Sequence, residues 1–251
     1  MPIPAPTPLL TALFVAIVFA LVFALLRATF AAGGPAGEPA ARTRRWVALT
    51  AAGMLAWVGV TGVLAARGLL NTDAPLPAPF HRLMLLSALA TGAFAFLAPG
   101  RRLVAGVPLW KLCGFQAFRV PLEFVLWALY ANGSLPVQMT YEGRNFDVLS
   151  GLLAIPLAFF LRRGRVPSGV IWAWNLLSLG LLVNIVQIAV RSTPGPLRAF
   201  TNDPPNVLVF SLPWVWLPTI CVLAALLGHL LVFRGLLAQK PNSSTQIPLA
   251  H

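Results

Sequence analysis

Acid–base chemistry needs carboxylates, imidazoles or amines, and this chain is short of them: six Asp and Glu and three His in 251 residues. The polar residues it does have are grouped. Gln116, Arg119 and Glu123 stand three and four residues apart, the spacing that puts side chains on one face of a helix. Asn184, Gln187 and Arg191 keep a similar spacing, with Gly180 on the same stripe. Between the two sets, the run from Gln138 to Asp147 gathers Gln138, Glu142, Arg144, Asn145 and Asp147 around Gly143. Asn145 reads as a helix N-cap and Asp147 as a first-turn acid, where the helix dipole favours negative charge. Arg198, Asn202, Asp203 and Asn206 form a further polar group before the last apolar run, and His81 and Arg82 another. Glu123 and Asp147 are the best candidates for a catalytic acid and base. The candidate ligand-binding set is Gln116, Arg119, Glu123, Gln138, Glu142, Arg144, Asn145, Asp147, Asn184, Gln187, Arg191 and Asp203.

Other chemistries find little support. Three dispersed histidines do not make a metal site. Cys113 and Cys221 lie in apolar stretches without His or Cys neighbours, so they read as packing residues. There is no phosphate loop or dinucleotide motif. Neither a metal nor a cofactor is expected.

The elements that must position these residues follow from composition. The chain is 58% hydrophobic and 10% charged, with a mean hydropathy of +0.82. A soluble domain carries roughly a quarter charged residues, and disorder requires far lower hydrophobicity. The net charge of +12 does not point to nucleic acid, because the basic residues lie between apolar runs and form no polar face. The partner this composition implies is the lipid bilayer. Seven apolar runs are predicted as spans, at residues 9–26, 46–66, 83–98, 109–131, 146–161, 170–190 and 207–237. The third is expected to stop where Pro99 and Gly100 end it. The predicted fold is an all-α polytopic transmembrane bundle forming one domain over residues 1–238. A flexible cytoplasmic linker is expected at 31–44 and a disordered polar tail at 239–251.

Charge placement gives an orientation. Of the 18 Lys and Arg, twelve fall on the first, third and fifth connections and the C-terminal tail. Five fall on the alternate connections, and Arg119 lies within a span. The positive-inside rule then places the N-terminus outside and the C-terminus in the cytoplasm, which needs an odd number of spans. No basic residue precedes the first apolar run and Arg27 follows it, so that run reads as an uncleaved anchor. Alanine is abundant and only two lysines are present, which suggests a GC-rich bacterial genome and hence a bacterial inner membrane.

An ionisable side chain at the centre of a membrane helix costs about 2.5–3.5 kcal/mol, so each needs a partner, water or a task. In the structural reading, Arg119 and Glu123 neutralise each other and fix helix packing, and Asn145 and Asp147 merely cap a helix. Asn184 and Gln187 then make interhelical hydrogen bonds of about 0.6–2 kcal/mol. His229 is expected to hydrogen-bond a neighbouring helix. Pro121 lies between Arg119 and Glu123; it cannot donate to the Ala117 carbonyl, which favours a kink. In the functional reading, the outer ends of spans three to seven converge on a polar site open to the extracytoplasmic face.

The loop text carries a resemblance. The run Met139 to Asp147, the Phe-Arg-x-Pro-x-Glu run from Phe118 to Glu123 and the Asp-Pro-Pro-Asn segment from Asp203 to Asn206 resemble a group of uncharacterised bacterial multi-pass membrane proteins. The likeness covers spans three to seven. It implies a boundary, not an activity. Microbial rhodopsins fit poorly, because Lys240 lies beyond the last span. SWEET-type carriers fit poorly too, because spans one to three do not repeat in five to seven. Three functional classes stay open: binding, or transport, of a small molecule or lipid headgroup; cofactor-free acid–base catalysis on a lipid or isoprenoid-like substrate; and a structural or assembly role. The oligomeric state is open as well.

Overall fold

A computed structural model describes residues 3–70 and 75–238. The expected tail at 239–251, with Lys240, lies outside the described residues. The chain forms α1 (Pro8–Ala31), α2 (Ala40–Ala66), α3 (Pro79–Phe96), α4 (Ala98–Gly106), α5 (Leu109–Phe115), α6 (Arg119–Ala131), α7 (Val148–Arg162), α8 (Ser168–Ser192) and α9 (Leu223–Ala238). A 3₁₀ turn, Gln116–Phe118, joins α5 to α6, and a π-helical segment, Leu217–Val222, runs into α9. No strand occurs among the described residues. Five helices are long and apolar enough to cross a membrane, or six if the bent pair α3–α4 counts as one span. Helix α7 is apolar but has only 15 residues.

Prolines set the breaks. Pro121 has no N–H to give Ala117, and the turn before it tightens to 3₁₀ while the helix continues to Ala131. The predicted third span is corrected: α3 ends at Phe96, Leu97 is extended, and the chain re-enters a helix at 55° to the first. Pro99 opens α4, where a missing N–H costs nothing. Gly100 does not end a helix there; it lets α4 lie against α3, since a Cβ at this position would stand 1.8 Å from the Ala95 carbonyl oxygen. The predicted seventh span is shorter than expected. Residues before Trp216 form turns and the 3₁₀ segment Leu208–Phe210, and regular helix follows Pro213 and Pro218.

The exterior is apolar. Phe19, Phe23, Leu55, Leu86, Leu89 and Phe159 all face outward. A soluble protein seldom exposes so continuous an apolar surface, whereas lipid solvates it. The interior divides into two apolar cores. One holds Phe14, Leu126, Leu129, Leu182, Val215 and Ile220. The other holds Leu103, Cys113, Ala154, Ile171, Leu231 and Val232. Along α5–α6, α8 and α9 the changeover falls at the same level, and the residues there are polar.

The two ends of the bundle differ. One end carries the α1–α2 turn, α4 and the turn after α7; the other carries residues 132–147 and 193–216. The first is the basic end. The expected linker is only partly irregular, since α2 starts at Ala40 and takes residues 40–44 as its first turns. The rest is pinned: Arg102 Nη2 donates to Glu38 Oε2 at 2.9 Å, Nε reaches both Glu38 oxygens at 3.1 Å, and Nη1 donates to the Thr29 carbonyl. Gly33 makes room for this clamp, because a Cβ there would stand 2.2 Å from Thr43 Oγ1.

The Arg102 guanidinium beside Glu38 holds its carboxyl below the ordinary glutamate value. A depressed folded-state value means the pair's stabilisation is complete above the unfolded value, about 4.3, and is lost as pH falls through the folded one. Glu38→Gln is therefore expected to lower the thermal midpoint in detergent at pH 7, and the difference from wild type should close on acidification below that window. A difference that persists undiminished into acid would show that the clamp is not ionic.

Candidate functional site

The polar layer is built from one turn of each of five elements. The 3₁₀ turn and α6 supply Gln116 and Arg119; α7 and its entry supply Asp147 and Ser150; α8 supplies Trp174, Asn175 and Ser178; α9 supplies His229. All eight are buried. Arg119, 1% exposed, donates from Nη1 to Asp147 Oδ1 at 2.9 Å and to the Ser178 carbonyl at 3.4 Å. Two hydrogen bonds join α8 to α9: Asn175 Nδ2 donates to the His229 carbonyl at 3.2 Å, and Asn175 Oδ1 lies 2.7 Å from His229 Nδ1. With its Nδ2 so used, Asn175 presents an acceptor, so His229 Nδ1 donates and Nε2 of the neutral ring is an acceptor. Gln116 Nε2 donates to the Ala225 carbonyl at 3.0 Å. This amide crosses α9 at Gly228, where a Cβ would stand 2.5 Å from it.

Besides Ser150 Oγ, which lies beside Asp147, six buried polar atoms in this layer have no hydrogen-bond partner among the described residues: Arg119 Nε and Nη2, Gln116 Oε1, Trp174 Nε1, Ser178 Oγ and His229 Nε2. Arg119 is close enough to act electrostatically on His229, and the Trp174 and His229 ring centres are 5.9 Å apart. The unpaired set is therefore mixed. Arg119 and Trp174 offer donors, Gln116 and His229 offer acceptors, and Ser178 offers either. Each buried group left unsatisfied costs about 1–3 kcal/mol, so the layer is built for contents that hydrogen-bond.

A second cluster adjoins it. Asn145 Nδ2 donates to Glu123 Oε1 and Oε2 at 2.7 and 2.8 Å and to the Met139 carbonyl at 3.0 Å. Asn145 Oδ1 accepts from the Asp147 N–H at 3.0 Å. This amide thus ties α6 to the loop and turns the chain into α7. Farther out, Gln138 Nε2 donates to Ser192 Oγ at 2.9 Å and Gln138 Oε1 accepts from Asn202 at 2.8 Å.

Several expectations change. The Arg119–Glu123 pair is replaced by Arg119–Asp147, while Glu123 is held by Asn145. Asn145 is not the N-cap of α7, which begins at Val148; its side chain closes a turn onto Asp147 N–H instead. Gln116, Arg119, Glu123, Asn145 and Asp147 come together as a buried set, with Gln138 buried above them. Glu142, Arg144, Asn184, Gln187, Arg191 and Asp203 are exposed and lie outside it. Glu142 accepts from Trp127 Nε1 at 2.6 Å, Arg144 lies 5.3 Å from the Phe200 ring centre, and Asn184 donates to the Arg144 carbonyl at 3.0 Å. His229 does bond a neighbouring helix, through Asn175. Sequence reasoning missed Ser150, Trp174, Asn175 and Ser178. For the last three the available signal was their spacing with Ile171, Leu182 and Ile185, the buried stripe of α8. No three His, Cys, Asp or Glu side chains meet as metal ligands among the described residues.

Comparison with known proteins fits this division of the chain. The family described as Domain of unknown function (DUF8737) matches residues 81–237. The chain belongs to that family. The matched region takes in α3 to α9, and therefore the whole polar layer, and leaves α1 and α2 outside. No curated protein matches the chain, and no solved structure does.

Removing the Asn145 amide leaves Glu123 buried without a donor. Asn145→Ala is expected to cost about 1.5–3 kcal/mol, the range for hydrogen bonds to a charged group. Glu142→Ala, at an exposed carboxylate with one hydrogen bond, should cost about 1 kcal/mol or less. Unfolding titrations of the two variants in mixed micelles check the ranking.

Proposed function

We propose that this chain is a seven-span membrane protein of a bacterial inner membrane that binds a small polar solute in the layer around Arg119. Its N-terminus lies outside and its C-terminus in the cytoplasm. The observation that carries the reading is the set of six unpaired buried atoms on four elements, lying between two apolar cores. Arg119 Nε and Nη2 form a donor edge suited to an oxygen acceptor such as a carboxylate or carbonyl. Gln116 Oε1 and His229 Nε2 suit a hydroxyl or N–H on the same solute. The charge asymmetry supports the orientation: eleven of the described Lys and Arg sit at the basic end and five at the other. Seven crossings require the 15-residue α7, about 22 Å long, to be completed by the loop before it.

Binding is favoured over acid–base catalysis by the state of the two carboxylates. Both Glu123 oxygens accept from one amide, and Asp147 is held by Arg119. Neither is poised toward open space as a free acid or base. Transport would require the layer to open in turn to each end, and the outer polar contacts of Gln138 with Ser192 and Asn202 are the ones that would have to part.

Thiol labelling tests the reading. With Cys113 and Cys221 replaced by Ala, Ser178→Cys is expected to react with a small membrane-impermeant methanethiosulfonate applied from outside, while Ile185→Cys in the dry core stays unreactive. Formate or acetate should slow the Ser178→Cys reaction and raise the thermal midpoint of wild type, a stabilisation of about 2.7 kcal/mol at a hundredfold excess over Kd. Arg119→Lys, which keeps the charge but not the fork, should lose that protection. An unreactive Ser178→Cys that is as stable as wild type would overturn the proposal.

A further inference from the structure

A large cavity lies elsewhere. A cleft of about 840 Å³ runs between the α1–α2 pair on one side and α3, α4, α5 and α9 on the other. Its walls are apolar, with Leu25, Met54, Phe94, Leu112 and Leu227 among them. Among the lining residues Trp57 Nε1 donates to the Thr219 carbonyl at 2.9 Å, which joins the two walls. From there to Trp46, another lining residue, α2 runs eleven residues, about 16 Å. The charges on the lining are Arg27 and Lys111, both at the basic end, and no Asp or Glu lines it. Neither cation makes an ion pair among the described residues, whereas their neighbour Arg102 is already taken by Glu38. The layout is a long greasy slot with two uncommitted cations at its mouth.

We infer that this cleft binds an anionic lipid, with its acyl chain along α2 and α9 and its phosphate between Arg27 and Lys111. Charge complementarity selects the occupant. A zwitterionic lipid brings a cation to a mouth that holds only cations, and a free phosphate leaves the apolar slot empty. Trp46 and Trp110 add ring faces at the same end: Lys111 Nζ lies 5.4 Å from the Trp110 ring centre and the Arg102 guanidinium 5.7 Å from that of Trp46. Aromatic and basic residues at one level are the usual neighbours of a lipid headgroup. The site needs α1 and α2, which lie outside the matched family region. It stands independently of the polar-layer reading.

Native mass spectrometry of the full chain extracted from vesicles of equal phosphatidylglycerol and phosphatidylcholine tests it. Wild type is expected to retain phosphatidylglycerol over phosphatidylcholine by on the order of tenfold, as two nearby cations would give. Arg27→Gln with Lys111→Gln should bring the ratio to about one, while Arg45→Gln with Arg101→Gln, exposed cations outside the cleft, should leave it unchanged. Gly53→Leu should reduce retention of both lipids. That residue lines the cleft, and a Cβ there meets no atom within 4 Å, so the fold tolerates the change. Equal retention of the two lipids by wild type overturns the inference. So does a preference that survives loss of Arg27 and Lys111, or one that falls equally in the control pair.

Discussion

Inside lipid no water satisfies stray backbone groups, and that constraint presses hardest on the segment between α6 and α7. Apart from the 3₁₀ turn Val137–Met139 this segment is irregular, yet it descends along α8. Gln138 meets Ser192, the Arg144 carbonyl meets Asn184, and Asp147 shares Arg119 with Ser178. Ser192 to Ser178 is fourteen residues of helix, about 21 Å. Irregular backbone at such depth persists only where its polar groups are met from within. Here the Asn145 amide serves the Met139 carbonyl, the Asp147 N–H and Glu123, and the Thr140 carbonyl accepts from Gly143 and Asn145 N–H. Gly143 lets the two limbs of this turn close up, since a Cβ would stand 2.3 Å from the Val137 carbonyl oxygen. The short α7 is the consequence: the loop occupies the depth that helix would otherwise fill.

Glu123 and Arg119 do different work within this scheme, although one helical face carries both. Glu123 is the acceptor that orients Asn145, and so belongs to the loop's support. Arg119 reaches past the loop, spends one nitrogen on Asp147 and the Ser178 carbonyl, and leaves its other edge bare. A side chain needed only to neutralise Asp147 would not require that bare edge, nor the Gln116, Trp174 and His229 atoms left unpaired at the same level. Glu123 and Asn145 hold the loop in place, whereas the unpaired atoms of the layer below them hold nothing among the described residues.

How much of this the sequence makes legible depends on the kind of signal. Apolar runs long enough to matter stand out, because burying peptide groups in lipid allows little besides helix. The Gln116–Arg119–Glu123 face is legible from spacing alone. Its partners are not: a carboxylate four residues on is no closer to a long guanidinium than one on a neighbouring helix, and packing brought Asp147 to Arg119. On α8 the conspicuous polar stripe of Asn184, Gln187 and Arg191 is the exposed one, while Asn175 and Ser178 are buried among Ile171, Leu182 and Ile185. In water the polar stripe would mark the outside and the apolar one the core. In a membrane both faces are apolar, and hydropathy no longer separates them. Helix ends fail for a related reason: Pro99 and Pro218 each start a helical segment that composition alone reads as an interruption or as one long span.

The α1–α2 pair shows how the cleft and the polar layer fit together. At the end away from the basic residues, α1 is fastened by Asn132 and Ser134, which donate to the Ala5 and Pro4 carbonyls, and by Phe14 stacked on Trp214 at 4.6 Å. At the basic end Arg102 holds the α1–α2 turn through Glu38 and Thr29. Between these fastenings the pair stands off from the family body, with Trp57 the tie nearest the middle. The far wall of the resulting cleft includes Phe115 and Gly228, and the Gln116 amide lies directly behind Gly228. One layer of atoms therefore separates an apolar slot from a polar interior. Polar fastenings at both ends of an apolar gap hold the gap open against collapse, which hydrophobic packing by itself would favour.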